Sequence, residues 1–158
     1  LIAARGQPWA RRSESRQPDC AVTATALAPD IRIFLGDSMG EMAAYYAAAD
    51  VAYIGGSLLP FGGQNLIEAA AAGCPALIGP HTWNFSEAAE EAVSAGAARR
   101  VADSEALIAN LRLLHKDARS REAMTKAGLL FAERNRGATA RTLELLEAAC
   151  NSRLQPAV

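Results

Sequence analysis

The chain is short of the residues that most often announce a chemistry. Its 158 residues include three cysteines and two histidines. Cys20, Cys74 and Cys150 are odd in number, widely spaced and form no CxxC pair, which argues against a disulfide framework or a cysteine zinc site and fits a reducing cytosolic compartment. His81 and His115 are too few for a histidine-rich metal site. Sixteen basic residues against 17 acidic ones give a net charge of −1, so no overall basic field is available for nucleic acid. Arg5, Arg11, Arg12 and Arg16 crowd the first segment and read as a solvated face, with an anion site as the alternative. No apolar run approaches the ~20 residues of a membrane span. There is no G-x-G-x-x-G, no Walker lysine motif and no arguable Ser-His-Asp set. No metal site and no cofactor is indicated.

What the chain does have is 51% apolar and 21% charged residues, the balance of one globular domain. The opening "LIAARGQPWARRS" lacks an initiating Met and resembles a helix entered partway, which suggests a piece of a longer protein. Gly6 and Pro8 end that helix, "WARRS" suits a short strand, and a weak strand is placed near Cys20–Thr23. "IRIFLG" (31–36), "VAYIGG" (51–56) and "ALIG" (76–79) are compact apolar strands, and "AARRV" (97–101) is an edge strand. Between them, helices are expected over Met39–Ala49, from Asn65 to a Gly73 stop, and over "NFSEAAEEAVSAG" (84–96). From Asp103 onward the pattern is helical: Ser104–His115, Ala118–Arg134 and Ala138–Asn151, with "SRLQPAV" fraying.

Strands of four to six residues alternating with helices predict a doubly wound, Rossmann-like α/β domain, with a parallel sheet covered on both faces and an all-helical C-terminal segment. Ligands of such sheets sit beyond the carboxyl ends of the strands. Asp37–Ser38, Gly55–Gln64 and Gly79–Asn84 are thereby placed on one rim. Asn65 suits the N-cap of the helix that follows, with Gly62 and Gly63 leaving the backbone open to a ligand and Glu68 at the third helical position. Helix N–H groups there would take a phosphate while Glu68 takes a ribose diol. Asn-x-x-Glu is equally a capping-box variant, and Ser38-x-x-Glu41 leans to the cap. His81 reads first as a loop-fixing residue and second as an acid–base group. Trp83 and Phe85 read as packing, Cys74 as a buried apolar residue, and His115 as a favourable charge at a helix C-terminus.

"GDSMGEM…AYY…ADVAYIGGSLLPFGGQNLIEAAAAGCPALIGPHTWNF" resembles the C-terminal domain of the Kdo transferases, the 3-deoxy-D-manno-octulosonic acid transferases of Gram-negative lipopolysaccharide synthesis. The likeness runs from about Ile31 to Leu146, is densest over Gly36–Phe85, and includes the later "RGATART". It implies the C-terminal half of a GT-B glycosyltransferase, with residues 1–158 forming the nucleotide-sugar domain, 103–151 its helical tail, and an N-terminal acceptor domain elsewhere. It implies an inverting, metal-independent transfer of Kdo from CMP-Kdo to a lipid A precursor at the cytoplasmic face of the inner membrane. The family's CMP contacts fall on Met39, Gly40 and Glu41 and on Asn65, Leu66, Ile67 and Glu68. Its Pro-Arg nucleotide contact, catalytic carboxylate and membrane-associated helix are expected before Leu1, leaving no catalytic residue in this chain, which alone would be soluble and inactive. Gln64 stands where many members have His. The competing readings are a GT-B transferase of a UDP- or GDP-sugar and a non-catalytic nucleotide-binding module. The lack of Lys or Arg between Asp37 and Asn84 favours a monophosphate donor over a diphosphate.

Overall fold

The computed structural model describes residues 2–15 and 28–154. The chain divides into two compact units, Leu1–Met42 and Ala43–Val158. The strand expected near Cys20–Thr23 lies outside the described residues.

In the first unit, β1 (Trp9–Arg11) pairs in parallel with β2 (Ile33–Leu35), Trp9 opposite Ile33 and Arg11 opposite Leu35. Single 3-10 turns occupy Ala3–Arg5 and Ser13–Ser15. The described opening residues form a single tight turn. The strand in "WARRS" stops at Arg11, and Ser13 instead bonds the loop after β2.

α1 (Met42–Ala48) begins three residues later than the sequence predicts. Gly40 adopts φ +79°, a left-handed conformation that a helix cannot contain. Ser38 and Glu41 consequently precede the helix, and the Ser38 hydroxyl donates to the Glu41 carboxylate.

The second unit carries a three-stranded parallel sheet in the order β3 (Ala52–Tyr53), β4 (Ala76–Ile78), β5 (Ala98–Arg100). β4 is central and fully buried, and β5 is at an edge, as the sequence predicts. Alternation along β4 divides the core. Ala76 and Ile78 pack with Ile54, with Leu66 and Ala69 around α2 (Ile67–Ala71), and with Ala89 and Ala92 of α3 (Ser86–Ser94). Leu77 packs with Leu114 of α4 (Ser104–Lys116) and Met124 of α5 (Ala118–Asn135). Helices thus cover both faces, the doubly wound arrangement.

Helix ends follow local chemistry. After α2 the Gly73 and Cys74 N–H groups bond the Ala70 and Ala69 carbonyls at 3.0 and 2.9 Å, a Schellman closure that needs the left-handed Gly73 (φ +70°). Gly96 closes α3 in the same manner. Asp103 and Asp117 cap α4 and α5, accepting from the Ala106 and Ser120 N–H groups at 2.8 and 3.0 Å. Gly128 lets α5 lie against Ala70 of α2, and Thr125 Oγ1 donates to the Gly73 carbonyl at 2.8 Å. α6 (Ala138–Leu154) continues three residues past the predicted end, so Ser152–Leu154 are helical rather than frayed.

Candidate functional site

In the second unit the strand ends project two long loops, 54–66 after β3 and 79–85 after β4, and Ser57 fastens one to the other. Its side chain is fully buried. Its hydroxyl donates to the Ile54 carbonyl at 2.5 Å and accepts the Gly79 N–H at 2.8 Å, while its own carbonyl accepts the His81 N–H at 2.9 Å. A buried hydroxyl with both roles satisfied adds order rather than penalty.

The paired glycines serve this loop packing. Gly62 and Gly63 both have left-handed φ, +86° and +73°. A Cβ on Gly62 would lie 2.6 Å from Asn84 and from the Trp83 indole nitrogen, and one on Gly63 would lie 3.3 Å from the His81 carbonyl. The Gly62 carbonyl accepts the Asn84 N–H, and the Asn84 amide donates to the Phe61 and Gly63 carbonyls. In the structure the backbone freedom of Gly62 and Gly63 serves loop-to-loop contact. Trp83 borders this joint yet is 55% exposed, standing edge-on to His81 at 5.6 Å between centroids. His81 is half-buried and joins the fastened loop through its backbone N–H.

Asn65 begins the next segment. Its Oδ1 accepts the Ile67 N–H at 2.9 Å, and its amide nitrogen donates to Glu68 Oε1 at 3.2 Å. The helix starts one residue later than expected: Leu66 is the N-cap, and Glu68 is the second helical residue rather than the third. Glu68 reaches the Asn65 side chain, not its backbone, so the reciprocal capping box does not form. Leu66 is 1% exposed and belongs to the core, which leaves only its backbone to face a ligand. Ile67 packs against that same core. Glu68 is exposed, and its charge, after burial, helps raise the Tyr46 phenol above its ordinary range. Cys74 is buried, and burial pushes its thiol up.

Sequence reasoning missed Arg100. From the end of β5 it donates to the Gly79 carbonyl at 3.0 Å and to Thr82 Oγ1 at 3.2 Å, and pairs with Glu90 at 2.5 Å. A cation therefore underlies the 79–85 loop although the loops themselves contain none. Beyond β3 and β5 a cleft of about 490 Å³ is lined by Tyr53, Leu58, Leu59, Phe61 and Asp103.

In the first unit, Met39, Gly40 and Glu41 lie on a bend. Met39 is 97% exposed. Glu41 is held by Arg12 through a bidentate ion pair, Nε to Oε2 at 3.0 Å and Nη2 to Oε1 at 2.9 Å. Arg12 is thus not part of a solvated face. Asp37 accepts from the Ser13 N–H at 2.9 Å and from its hydroxyl at 2.6 Å, and these bonds hold its carboxyl below the usual value. Among the described residues no cluster suited to a metal ion occurs, and no helix is long and apolar enough to cross a membrane.

Parallel strands, helices on both faces and loops gathered beyond the strand ends define a Rossmann-like α/β domain. The chain belongs to the glycosyl transferases group 1 family, whose model matches residues 12–131. It is 49% identical over 148 residues to the 3-deoxy-D-manno-octulosonic acid transferase of Bordetella pertussis, covering 92% of this chain and 32% of that protein. With the enzyme of the same name from Haemophilus influenzae it shares 38% identity over 117 residues, 73% of this chain and 27% of that one. The chain thus spans about a third of the length of these relatives. The crystal structure of the C-terminal CMP-Kdo binding domain of WaaA from Acinetobacter baumannii superposes with a TM-score of 0.72 at 23% identity, covering 82% of this chain and 63% of that one. The fold is that of a GT-B C-terminal domain.

Proposed function

We propose that this chain is the donor-nucleotide half of a Kdo transferase, holding CMP-Kdo while the sugar passes to a hydroxyl of a lipid A precursor. The observation that carries the reading is the 49% identity over 148 residues to the Bordetella pertussis transferase. The fold shared with a CMP-Kdo binding domain supports it.

Asn65 and Glu68 are the centre of the proposed CMP site. Glu68 is exposed at the start of α2 and offers the ribose diol a carboxylate acceptor, and Asn65 orients it through the 3.2 Å bond. Leu66 and Ile67 contribute backbone, since their side chains face the core. α2 is only five residues long, so local N–H groups rather than a macrodipole would meet the phosphate. Met39, Gly40 and Glu41 are assigned to CMP from the family resemblance. In this reading the acceptor site, the base that deprotonates the attacking hydroxyl and the attachment to the cytoplasmic face of the inner membrane belong to the remaining two-thirds of the parent protein. CMP departs as the leaving group and no metal participates.

Calorimetric titration of the protein with CMP, UMP and GMP tests the proposal. A preference for CMP that Glu68→Ala abolishes supports it. A folded protein that ignores all three nucleotides, or binds UMP or GMP better, overturns it.

A further inference from the structure

The bend carrying Met39 and Gly40 is braced from a distant point in the sequence. Arg12 follows β1, and its backbone N–H bonds the Leu35 carbonyl at the end of β2 at 2.9 Å. From there its guanidinium grips both oxygens of Glu41, 29 residues away, and the Ser38 hydroxyl donates to one of them. Side-chain exposures of 31% for Arg12 and 26% for Glu41 place the pair partly out of water, where a charge left alone costs more than on an open surface. Together with Ser13 these residues line a small cleft of about 190 Å³. A Cβ on Gly40 would touch nothing within 4 Å, so it is the positive φ, not crowding, that requires glycine there. Backbone and side chains together fix one conformation of the bend.

A lone carboxylate is a poor neighbour for a nucleotide phosphate. We infer that Arg12 is a positioning residue for donor binding, which holds the Met39–Gly40–Glu41 bend and cancels the Glu41 charge so that this segment accepts a phosphate-bearing nucleoside. The inference rests on the CMP reading above and adds to it a residue outside the segments assigned to CMP. It separates two jobs. The geometric job is the fork of two parallel N–H bonds, which only arginine supplies. The electrostatic job is neutralisation, which lysine can perform as well.

The test compares CMP with cytidine, which lacks the phosphate, by calorimetry or NMR titration of the protein. Arg12→Ala is expected to weaken CMP about ten-fold and cytidine far less, because the uncovered Glu41 carboxylate repels only the phosphate. Adding Glu41→Gln to Arg12→Ala should restore part of the preference for CMP over cytidine, because it removes the bare charge without restoring the fork. Arg12→Lys should keep the preference for CMP over cytidine, and it serves where Arg12→Ala fails to fold, as judged by circular dichroism. Equal losses for CMP and cytidine, no recovery in the double variant, or a lysine variant without the preference would overturn the inference. CMP binding that depends on Glu68 but not on Arg12 overturns it alone. A wild-type protein that binds no CMP overturns the functional reading and the inference together.

Discussion

Gly79 lies directly against the Ser57 backbone, so close that a Cβ built on it would collide with the Ser57 carbonyl and stand 2.6 Å from the Leu58 nitrogen. Every atom in its way is main chain, which cannot swing aside as a side-chain tip can. The loops after β3 and β4 are therefore joined at a point where only glycine fits. Gly79→Ala should destabilise the protein by about 3 kcal/mol, the upper part of the usual overpacking range. Urea unfolding checks this, and an unchanged midpoint would show that the joint yields.

Ser57 supplies the polar half of that joint. Replacing it with alanine removes the acceptor of the Gly79 N–H and the donor to the Ile54 carbonyl, both in the buried interior. Leaving such groups unpaired costs about 1–3 kcal/mol. Ser57→Ala should also loosen the 79–85 loop, which amide hydrogen exchange at His81 would report, since that N–H bonds the Ser57 carbonyl. Normal protection at His81 would contradict this.

Gly55 and Gly62 are alike in the sequence and opposite in the structure. A Cβ on Gly55 meets nothing within 4 Å, whereas one on Gly62 strikes Trp83 and Asn84 from a left-handed backbone. In a Trp9→Phe background, Gly62→Ala should shift Trp83 fluorescence and lower stability, while Gly55→Ala leaves both unchanged. Equal effects would mean that neither glycine is selected by its neighbours.

The contrast marks what the sequence could reveal. β4 was legible because Pro75, a short apolar run and a Gly-Cys closure act within a few residues of it. The three tail helices were legible from their periodic pattern, and the structure adds Asp103 and Asp117 as the caps of the first two. The roles of Gly62, Gly79 and Arg100 were not, because each depends on a loop that sequence distance hides. Gly62 needs Trp83, Gly79 needs Ser57, and Arg100 reaches Thr82 from another strand. Glu41 shows the same limit. Its nearest-looking partner was Ser38, three residues away, but its charge is met by Arg12, which local spacing assigned to solvent. Asn65 and Glu68 do meet, but through their side chains rather than as the capping box their spacing suggests, and their helix starts one residue later than expected.

Cys74 offers a test of the core. It is buried beside Pro75, and burial followed by the charge of Asp50 raises its thiol above the ordinary value of 9.0. A thiol both inaccessible and protonated reacts slowly. In a Cys20→Ser, Cys150→Ser background, an aromatic disulfide reagent at neutral pH should find no thiol in the native protein and one after denaturation. Rapid native labelling would show that the contact between α2 and β4 opens.

Acid should weaken the protein at two carboxylates with the same chemistry. Asp37 accepts from the Ser13 hydroxyl and N–H, and Asp117 from those of Ser120; in each the hydroxyl bond is the largest cause of a pKa below the ordinary 3.8. A carboxyl whose folded pKa is depressed stabilises the fold above its unfolded value and loses that contribution as pH falls through the folded one. Both effects are therefore complete at neutral pH, begin to fade near 3.8, and are gone below the folded pKa values. Carbon-detected NMR titration should find both carboxyls below 3.8. Ser13→Ala should move Asp37 upward without moving Asp117, and Ser120→Ala the reverse. The backbone donors survive in these variants, so the return toward 3.8 should be partial. A full return would assign the whole effect to the hydroxyls, and no movement would assign it to the main chain.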